Sequence, residues 1–191
     1  MEHTKQRSHL SLSILILILS FSLFSLALPK QGQAASADEI DIKADAVLKI
    51  FIRDVQGGEE LMAKSKGVLI FPSVIKAGLW LGGEYGEGAL RIDGKTVAYY
   101  STAAASIGLQ LGAQSKSIVV LFMTEEALRD FRKAEGWKVG VDGGVALAEW
   151  GGGRSVDSVN IQNPIVGFIF GNKGLMYNLT IEGSKFTKIV R

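Results

Sequence analysis

Residues 63–90, AKSKGVLIFPSVIKAGLWLGGEYGEGAL, contain the pattern from which the fold class is predicted. Its short apolar run from Gly67 to Phe71 predicts a strand that ends at Pro72. Glycines then recur within apolar, strand-like sequence, and two glycine-rich strands are predicted within residues 78–92. Glycines inside strands mark bulges, sharp bends or close approach of two backbones. The pattern therefore predicts an α+β fold with a strongly curved, partly closed antiparallel sheet, covered by a few helices.

Further strands are predicted on the C-terminal side of this stretch. Asp93-Gly94-Lys95 predicts a hairpin turn into residues 96–100. Residues 117–123 form an apolar, β-branched run that is typical of a buried strand, and strands resume within residues 138–149. The C-terminal end predicts a meander of three strands, at residues 165–170, 175–181 and 185–190. Two turns, at residues 172–174 and 182–184, connect them.

Two helices and one short helical turn are expected beside the sheet. Residues 38–56 repeat apolar residues at three- and four-residue steps, and a helical turn is predicted at residues 59–64. The first helix has more acidic than basic residues, whereas helices that lie on membranes favour Lys and Arg. Packing of this helix on the sheet is therefore favoured over membrane contact. Thr124 is the expected N-cap of the second helix and Gly136 its C-terminal cap.

The N-terminal region has the three-part order of a secretory signal peptide. Lys5 and Arg7 precede an uncharged apolar run at residues 10–28, and Ala35-Ser36-Ala37 matches a cleavage site. About 20 apolar residues can also span a bilayer, so an uncleaved anchor is the alternative. The sequence predicts a signal peptide at residues 1–37 and one exported domain at residues 38–191. Its expected location is periplasmic or secreted, and membrane association is left open.

The predicted mature domain is formally neutral. The chain contains 21 Lys and Arg residues and 19 Asp and Glu residues. Without Lys5, Arg7, Lys30 and Glu2, 18 residues of each sign remain. A neutral domain lacks the broad positive field that holds a polyanion, so nucleic acid is not an expected partner.

Residues 38–191 contain neither histidine nor cysteine, because the chain has no Cys and both His3 and His9 precede them. The composition removes the usual general base near neutral pH, Ser-His-Asp and Cys-His catalysis, and thiolate or imidazole zinc sites. We therefore expect a protein that is not an enzyme and has no cofactor, metal or small-molecule substrate. Glu84 and Glu87 are interpreted as solvated strand charges, and a hydrolase that uses acidic residues alone is the weakest hypothesis.

The order of motifs resembles the SYLF domain family. Residues 63–90 match its "AkGv-IFP-v-kaG---Gg-yGeG-l" block, residues 106–114 match "S-GlQ-Gaq", and residues 173–184 match "skGlf-gvsleGs". The resemblance runs from about residue 44 to the C-terminus. Two segments depart from the family pattern: residues 148–153 replace a segment that often contains Gly-Pro, and residues 167–170 lack a frequent Tyr-Ser pair.

This resemblance implies a lipid-contacting domain. Eukaryotic relatives bind phosphoinositides, and some engage actin, usually beside Src-homology or FYVE modules that do not occur in this sequence. An exported bacterial protein would meet neither actin nor cytosolic phosphoinositides. What the resemblance implies here is non-enzymatic lipid binding at the cell envelope, with an anionic membrane lipid as partner and an envelope protein as the second partner. The alternative is a structural or protein-interaction module of the periplasm without lipid specificity.

The candidate lipid-binding residues are cations near strands and one tryptophan. Clustered Lys and Arg attract acidic headgroups by roughly 1 kcal/mol each near a surface, although solvated charge is the commoner explanation. A tryptophan beside a glycine-rich loop is suited to insertion at an interface. The candidates are Lys64, Lys66, Lys76, Lys173, Lys185, Lys188, Arg191 and Trp150.

Overall fold

The longest strands come from the glycine-rich stretch and the segment that follows it. The computed structural model describes residues 35–78, 81–107, 114–147, 163–171, 174–175 and 181–191. Three long strands follow one another along the chain, namely β1 (Gly67–Gly78), β2 (Leu81–Ile92) and β3 (Lys95–Ile107). The remaining described strands are shorter: β4 (Gln114–Phe122), β5 (Trp137–Lys138), β6 (Ala146–Leu147), β7 (Ile165–Gly171), β8 (Gly174–Leu175) and β9 (Lys185–Ile189).

All the described strands belong to one sheet. Their order is β5-β9-β3-β2-β1-β4-β7-β6, and β8 pairs with β7. The pairing of β6 with β7 is parallel, and each of the other described strand pairs is antiparallel. The sheet curls into a half-barrel with helices beside it. The predicted α+β class with a curved, partly closed sheet is confirmed, with one parallel pair in an otherwise antiparallel sheet.

Strand β1 continues through Pro72 instead of ending there. Its register against β2 shifts between Ile70 and Ser73, and its register against β4 shifts between Phe71 and Val74. Proline has no N–H to donate to a neighbouring strand, and a bulge removes the need for that bond. The prediction that Pro72 ends the strand is wrong, because the irregularity accommodates the ring within the sheet.

Residues 81–92 form one strand rather than two. A Cβ atom at Gly88 would overlap the carbonyl oxygen of Ile70, and one at Gly86 would lie 2.6 Å from the carbonyl oxygen of Ser73. Both contacts occur where β1 is irregular, so glycine lets the two backbones approach each other. The predicted close approach is found, whereas the predicted division into two strands is wrong.

The two predicted turns near β3 and β9 are present. Asp93 and Gly94 have φ angles of 51° and 74°, as a tight hairpin turn with two left-handed residues requires. Residues 182–183 form the turn before β9. However, β9 pairs with β3 and β5 rather than continuing a meander from β8. The last step of the predicted meander is therefore wrong within the described residues; residues 172–173 and 176–180 of that prediction lie outside them.

Three described helices flank the sheet: α1 (Ala37–Asp54), α2 (Gly58–Lys64) and α3 (Glu125–Lys133). At the start of α1 the Ser36 hydroxyl accepts a hydrogen bond from the Glu39 N–H, at 3.2 Å. The Thr124 hydroxyl caps α3 in the same way, as predicted. The C-cap of α3 is Ala134, so the prediction of Gly136 is wrong. Gly136 instead leaves room for the side chain of Lys185.

Each face of the sheet carries its own apolar core. On the face that we call the α1 face, Phe51 of α1 packs edge-on against Phe168, with ring centroids 4.9 Å apart. On the opposite α3 face, Phe131 of α3 lies 4.8 Å from Phe122. The helix at residues 37–54 therefore packs on the sheet, as its sequence favours.

The predicted signal peptide lies largely outside the described residues, which begin at Ala35. Residues Ala35–Arg191 form one compact unit. Among the described helices, none is both long enough and apolar enough to cross a bilayer. The predicted boundary between residues 37 and 38, and export itself, stay predictions.

Candidate functional site

Helix α1 covers only one half of the α1 face. Its Asp41 carboxylate accepts hydrogen bonds from Thr96 Oγ1 at 2.7 Å and from the Tyr99 hydroxyl at 2.9 Å. Arg91 forms ion pairs with Asp41 and Asp45. All these sheet residues lie near the hairpin between β2 and β3, so the N-terminal part of α1 is held at that end. None of the described helices packs on the part of this face farther along β2 and β3.

Six exposed residues form a row across this part of the face. Residues directly opposite one another in an antiparallel pair have their side chains on the same face, and the pairing runs through six strands in succession. We call this set the open row. Its members, from the β5 edge inward, are Lys138, Lys185, Ala103, Tyr85, Ile75 and Ser115, each of them exposed.

The inner part of the open row is apolar. Tyr85 and Ile75 are direct partners on β2 and β1, and each is 53% exposed. Large exposed apolar side chains that are neighbours indicate a contact surface more strongly than isolated ones do. The Tyr85 hydroxyl donates a hydrogen bond to Glu87 Oε1 at 2.8 Å. Burial, and then this hydrogen bond, raise the pKa of Tyr85, so its hydroxyl stays a donor near neutral pH.

The β5 end of the open row is cationic. Lys138 and Lys185 are direct partners, and neither forms an ion pair within the described part of the chain. The Asp142 carboxylate lies nearby, because its Oδ2 accepts a hydrogen bond from the backbone N–H of Lys138 at 2.6 Å. Ala103 separates Lys185 from Tyr85, so no large side chain stands between the cationic and apolar parts.

The acidic residue nearest to the apolar part is already neutralised. Glu87 lies on the same face as Tyr85, is only 10% exposed in its side chain, and forms an ion pair with Arg191. The candidate Arg191 is therefore engaged within the protein rather than available to a headgroup. Within the open row, two lysines therefore lie on one side and an aromatic and an aliphatic side chain on the other.

The other predicted cations do not converge on this surface. Lys188 pairs with Tyr100 and therefore lies on the α3 face, opposite to Lys185. Lys64 forms an ion pair with Glu60, with 2.6 Å between Nζ and Oε1. Lys66 lies at the other end of the sheet, where it lines a cavity beside the β2–β3 hairpin.

Lys76 belongs to a mostly buried ionic cluster on the α3 face. The carboxylate of Glu84 lies 2.7 Å from the Lys116 ammonium and 3.8 Å from that of Lys76. The Glu84 side chain is 14% exposed, so the interpretation of Glu84 and Glu87 as solvated charges is wrong. The two carboxylates lie on opposite faces of β2, where they cannot act on one substrate atom. In the described residues no group of three potential metal ligands is found.

Lys173 and Trp150 lie outside the described residues, so their predicted roles stay predictions. Sequence reasoning missed Lys138, Tyr85 and Ile75 as site residues. No local signal distinguishes them, because they meet only through the register of β5, β9, β3, β2 and β1. The pairing of β9 with β3 was the information that the sequence pattern did not supply.

Comparison with known families agrees with the resemblance read from the motifs. A family model described as "Ysc84: Las17-binding protein actin regulator" matches residues 103–189. This match confirms the SYLF resemblance over that region. The matched residues include both lysines of the open row, whereas Ile75 and Tyr85 precede them. A search of curated proteins found no match to the chain.

Proposed function

We propose that this chain, which carries a Ysc84-type SYLF domain over residues 103–189, is a non-enzymatic domain that docks on an anionic membrane surface through its open row. The observation that carries the proposal is the continuous row of two lysines without an ion pair to any described residue, a small residue, an exposed tyrosine and an exposed isoleucine. A membrane interface presents negative headgroups next to an apolar interior, so a surface that combines both features is complementary to it.

The expected binding is weak, reversible and sensitive to salt. Each lysine near an anionic surface contributes about 1 kcal/mol. Burial of an aliphatic side chain contributes about 1.5–3 kcal/mol at most, and Ile75 is already half-buried. Neither contribution suffices alone for stable attachment, so we expect both parts of the open row to be needed. Exposed charges are screened by salt, which weakens the lysine contribution.

The setting that we propose is the outer side of a cell membrane or the periplasm. The support for this setting is the signal-like order of the first 37 residues. Anionic phospholipid is the proposed partner there, and no particular headgroup is favoured by the open row.

Vesicle flotation tests this proposal on residues 35–191, which form a compact unit with its own cores. Vesicles with anionic lipid are compared with uncharged vesicles at low and high salt. The double variant Lys138→Glu/Lys185→Glu removes the cationic part, and Ile75→Ser/Tyr85→Ser removes the apolar part. The control is Lys95→Glu, which makes half of that charge change at an exposed residue at the other end of β3.

We expect the domain to float with anionic vesicles and to dissociate as salt rises. Either double variant should lower the vesicle partition constant at least about tenfold, a difference of roughly 1.4 kcal/mol, while Lys95→Glu changes it little. A loss of half that free energy with Lys95→Glu would mean that net charge alone acts. Absence of binding to every vesicle, with partner crosslinking that depends on Ile75 and Tyr85, would favour the alternative of a protein-interaction module.

A further inference from the structure

A cavity lies at the other end of the sheet from the open row. It has a volume of about 250 Å³ and is enclosed by α1, the connection from α2 to β1, and the β2–β3 hairpin. Leu48, Met62 and Val68 give it an apolar lining, and Lys66, Arg91 and Asp93 give it a polar one. Tyr85 and Arg91 are six residues apart on β2, which corresponds to about 20 Å along a strand. The cavity is therefore separate from the proposed membrane contact.

Two residues of opposite charge, Lys66 and Asp93, line this cavity. Neither Lys66 nor Asp93 forms an ion pair with a residue in the described ranges, and the two are too far apart to pair with each other. Asp93 is held in place by the hairpin turn, with a φ angle of 51°. A wall with separated charges of opposite sign is complementary to a ligand that bears both charges.

Arg91 adds a hydrogen-bond donor to the same wall. Its two terminal nitrogens are occupied, since Nη1 binds the Asp45 carboxylate and Nη2 donates to the Asp41 carbonyl oxygen at 3.1 Å. Its Nε–H is buried and has no acceptor within the described residues. A buried donor without a partner is costly, so a ligand oxygen that accepts this bond would bind favourably once a small shift of the Arg91 side chain opens the Nε–H to the cavity.

We propose that this cavity binds a small zwitterion. Its anionic group, a phosphoryl or carboxylate, is bound by the Lys66 ammonium and the Arg91 Nε–H. Its ammonium group is bound by the Asp93 carboxylate, and its remaining atoms contact the apolar lining. A lone anion fits less well, because Asp41, Asp45 and Asp93 outnumber the two cations Lys66 and Arg91. A lone cation would leave Lys66 without a partner.

Two sources supply this chemistry: an ethanolamine-phosphate headgroup and a free α-amino acid. Titration calorimetry of the full chain in a non-ionic detergent tests both, with O-phosphoethanolamine and L-leucine as probes. Inorganic phosphate and ethanolamine serve as the separate half-ligands. We expect at least one zwitterion to bind about tenfold or more tightly than either half-ligand. The zwitterion that binds identifies the source, as headgroup-like or amino-acid-like.

Variants connect the binding to the cavity. Lys66→Ala and Asp93→Asn should each weaken binding of the preferred zwitterion about tenfold. Asn is well tolerated at a positive φ, so Asp93→Asn preserves the turn while it removes the charge. The control is Lys64→Ala, which removes an equal charge two residues away outside the cavity lining. The proposal is overturned if neither zwitterion binds, if inorganic phosphate binds as tightly, or if Lys64→Ala has the same effect.

Discussion

Lys138 of β5 and Lys185 of β9 are direct partners in register, with both side chains on the α1 face of the sheet. Like charges placed directly opposite each other destabilise a strand pair. Lys138 lies on the edge strand β5. A lysine on an edge strand discourages pairing with the sheet of another molecule, which is a structural role for Lys138 that needs no lipid. The vesicle experiment separates that role from lipid contact, because edge protection does not depend on anionic lipid.

Substitution of Lys138 by Glu should affect stability and binding in opposite directions. The change replaces a repulsive cross-strand pair by an attractive one, so the free energy of unfolding should rise by about 0.2–1 kcal/mol when Asp142→Asn removes the neighbouring carboxylate in both proteins compared. Urea denaturation measures this change, and vesicle flotation should show weaker binding. Lys188→Glu, on the other face of β9, is the comparison. A loss of stability in Lys138→Glu would contradict the proximity of the two ammonium groups.

Removal of the carboxylate beside Lys138 should strengthen membrane binding. In Asp142→Asn the side-chain oxygen can still accept the hydrogen bond from the Lys138 N–H. One negative charge near the open row is lost, so binding to anionic vesicles should tighten by about 1 kcal/mol at low salt. Flotation at two salt concentrations measures the effect. Unchanged binding in low salt would count against electrostatic contact at this edge.

Truncation of Phe51 should loosen α1 from the sheet. Phe51 is fully buried and packs edge-on against Phe168. Replacement of a buried Phe by Ala costs about 3–5 kcal/mol, which chemical denaturation and protease sensitivity of residues 37–54 would detect. Ile52→Ala is the matched control, because Ile52 is exposed. An equal effect of both substitutions would contradict the packed position of α1.

A methyl group at Gly88 should strongly destabilise the sheet. The added Cβ would overlap the carbonyl oxygen of Ile70, which is backbone and cannot rotate away. We expect Gly88→Ala to lower the free energy of unfolding by about 3 kcal/mol or more. At Gly144 a Cβ would contact nothing, so Gly144→Ala should stay within about 0.5 kcal/mol of the parent protein. Thermal denaturation of the two variants gives the comparison, and similar melting temperatures would refute the close approach of β1 and β2.

Alkaline pH should reduce stability in part through Tyr99. Burial, and then its hydrogen bond to Asp41, raise the pKa of Tyr99 in the folded protein. The folded state therefore binds this proton more tightly than the unfolded state, where the pKa is about 10. The contribution is complete below about pH 10 and is lost as pH rises through the folded pKa. In Tyr99→Phe, the decline of unfolding free energy above about pH 10 should be shallower; an unchanged decline would exclude Tyr99 as a contributor.

Local patterns gave correct predictions where short-range geometry decides the outcome. The start of α3 was predicted correctly, because the Thr124 hydroxyl accepts a hydrogen bond from the backbone N–H three residues later, at Ala127. The hairpin was predicted correctly from Asp93-Gly94, which adopt the left-handed conformation that the turn requires. Pro72 was misread because a bulge depends on the partner strands β2 and β4 as much as on the proline itself. The end of α3 was also misread, since Gly136 is required by its contact with Lys185 and not by helix capping.

The class of the fold, the SYLF motifs, and the lack of imidazole and thiol groups in residues 38–191 follow from residue type and spacing along the chain. Which charges are available depends on the folded structure, since ion pairs join strands that are distant in sequence. Arg191 is neutralised by Glu87, 104 residues away, whereas Lys138 and Lys185 are brought together without an acidic partner in the described residues. Strand register, which no local pattern fixes, made that difference.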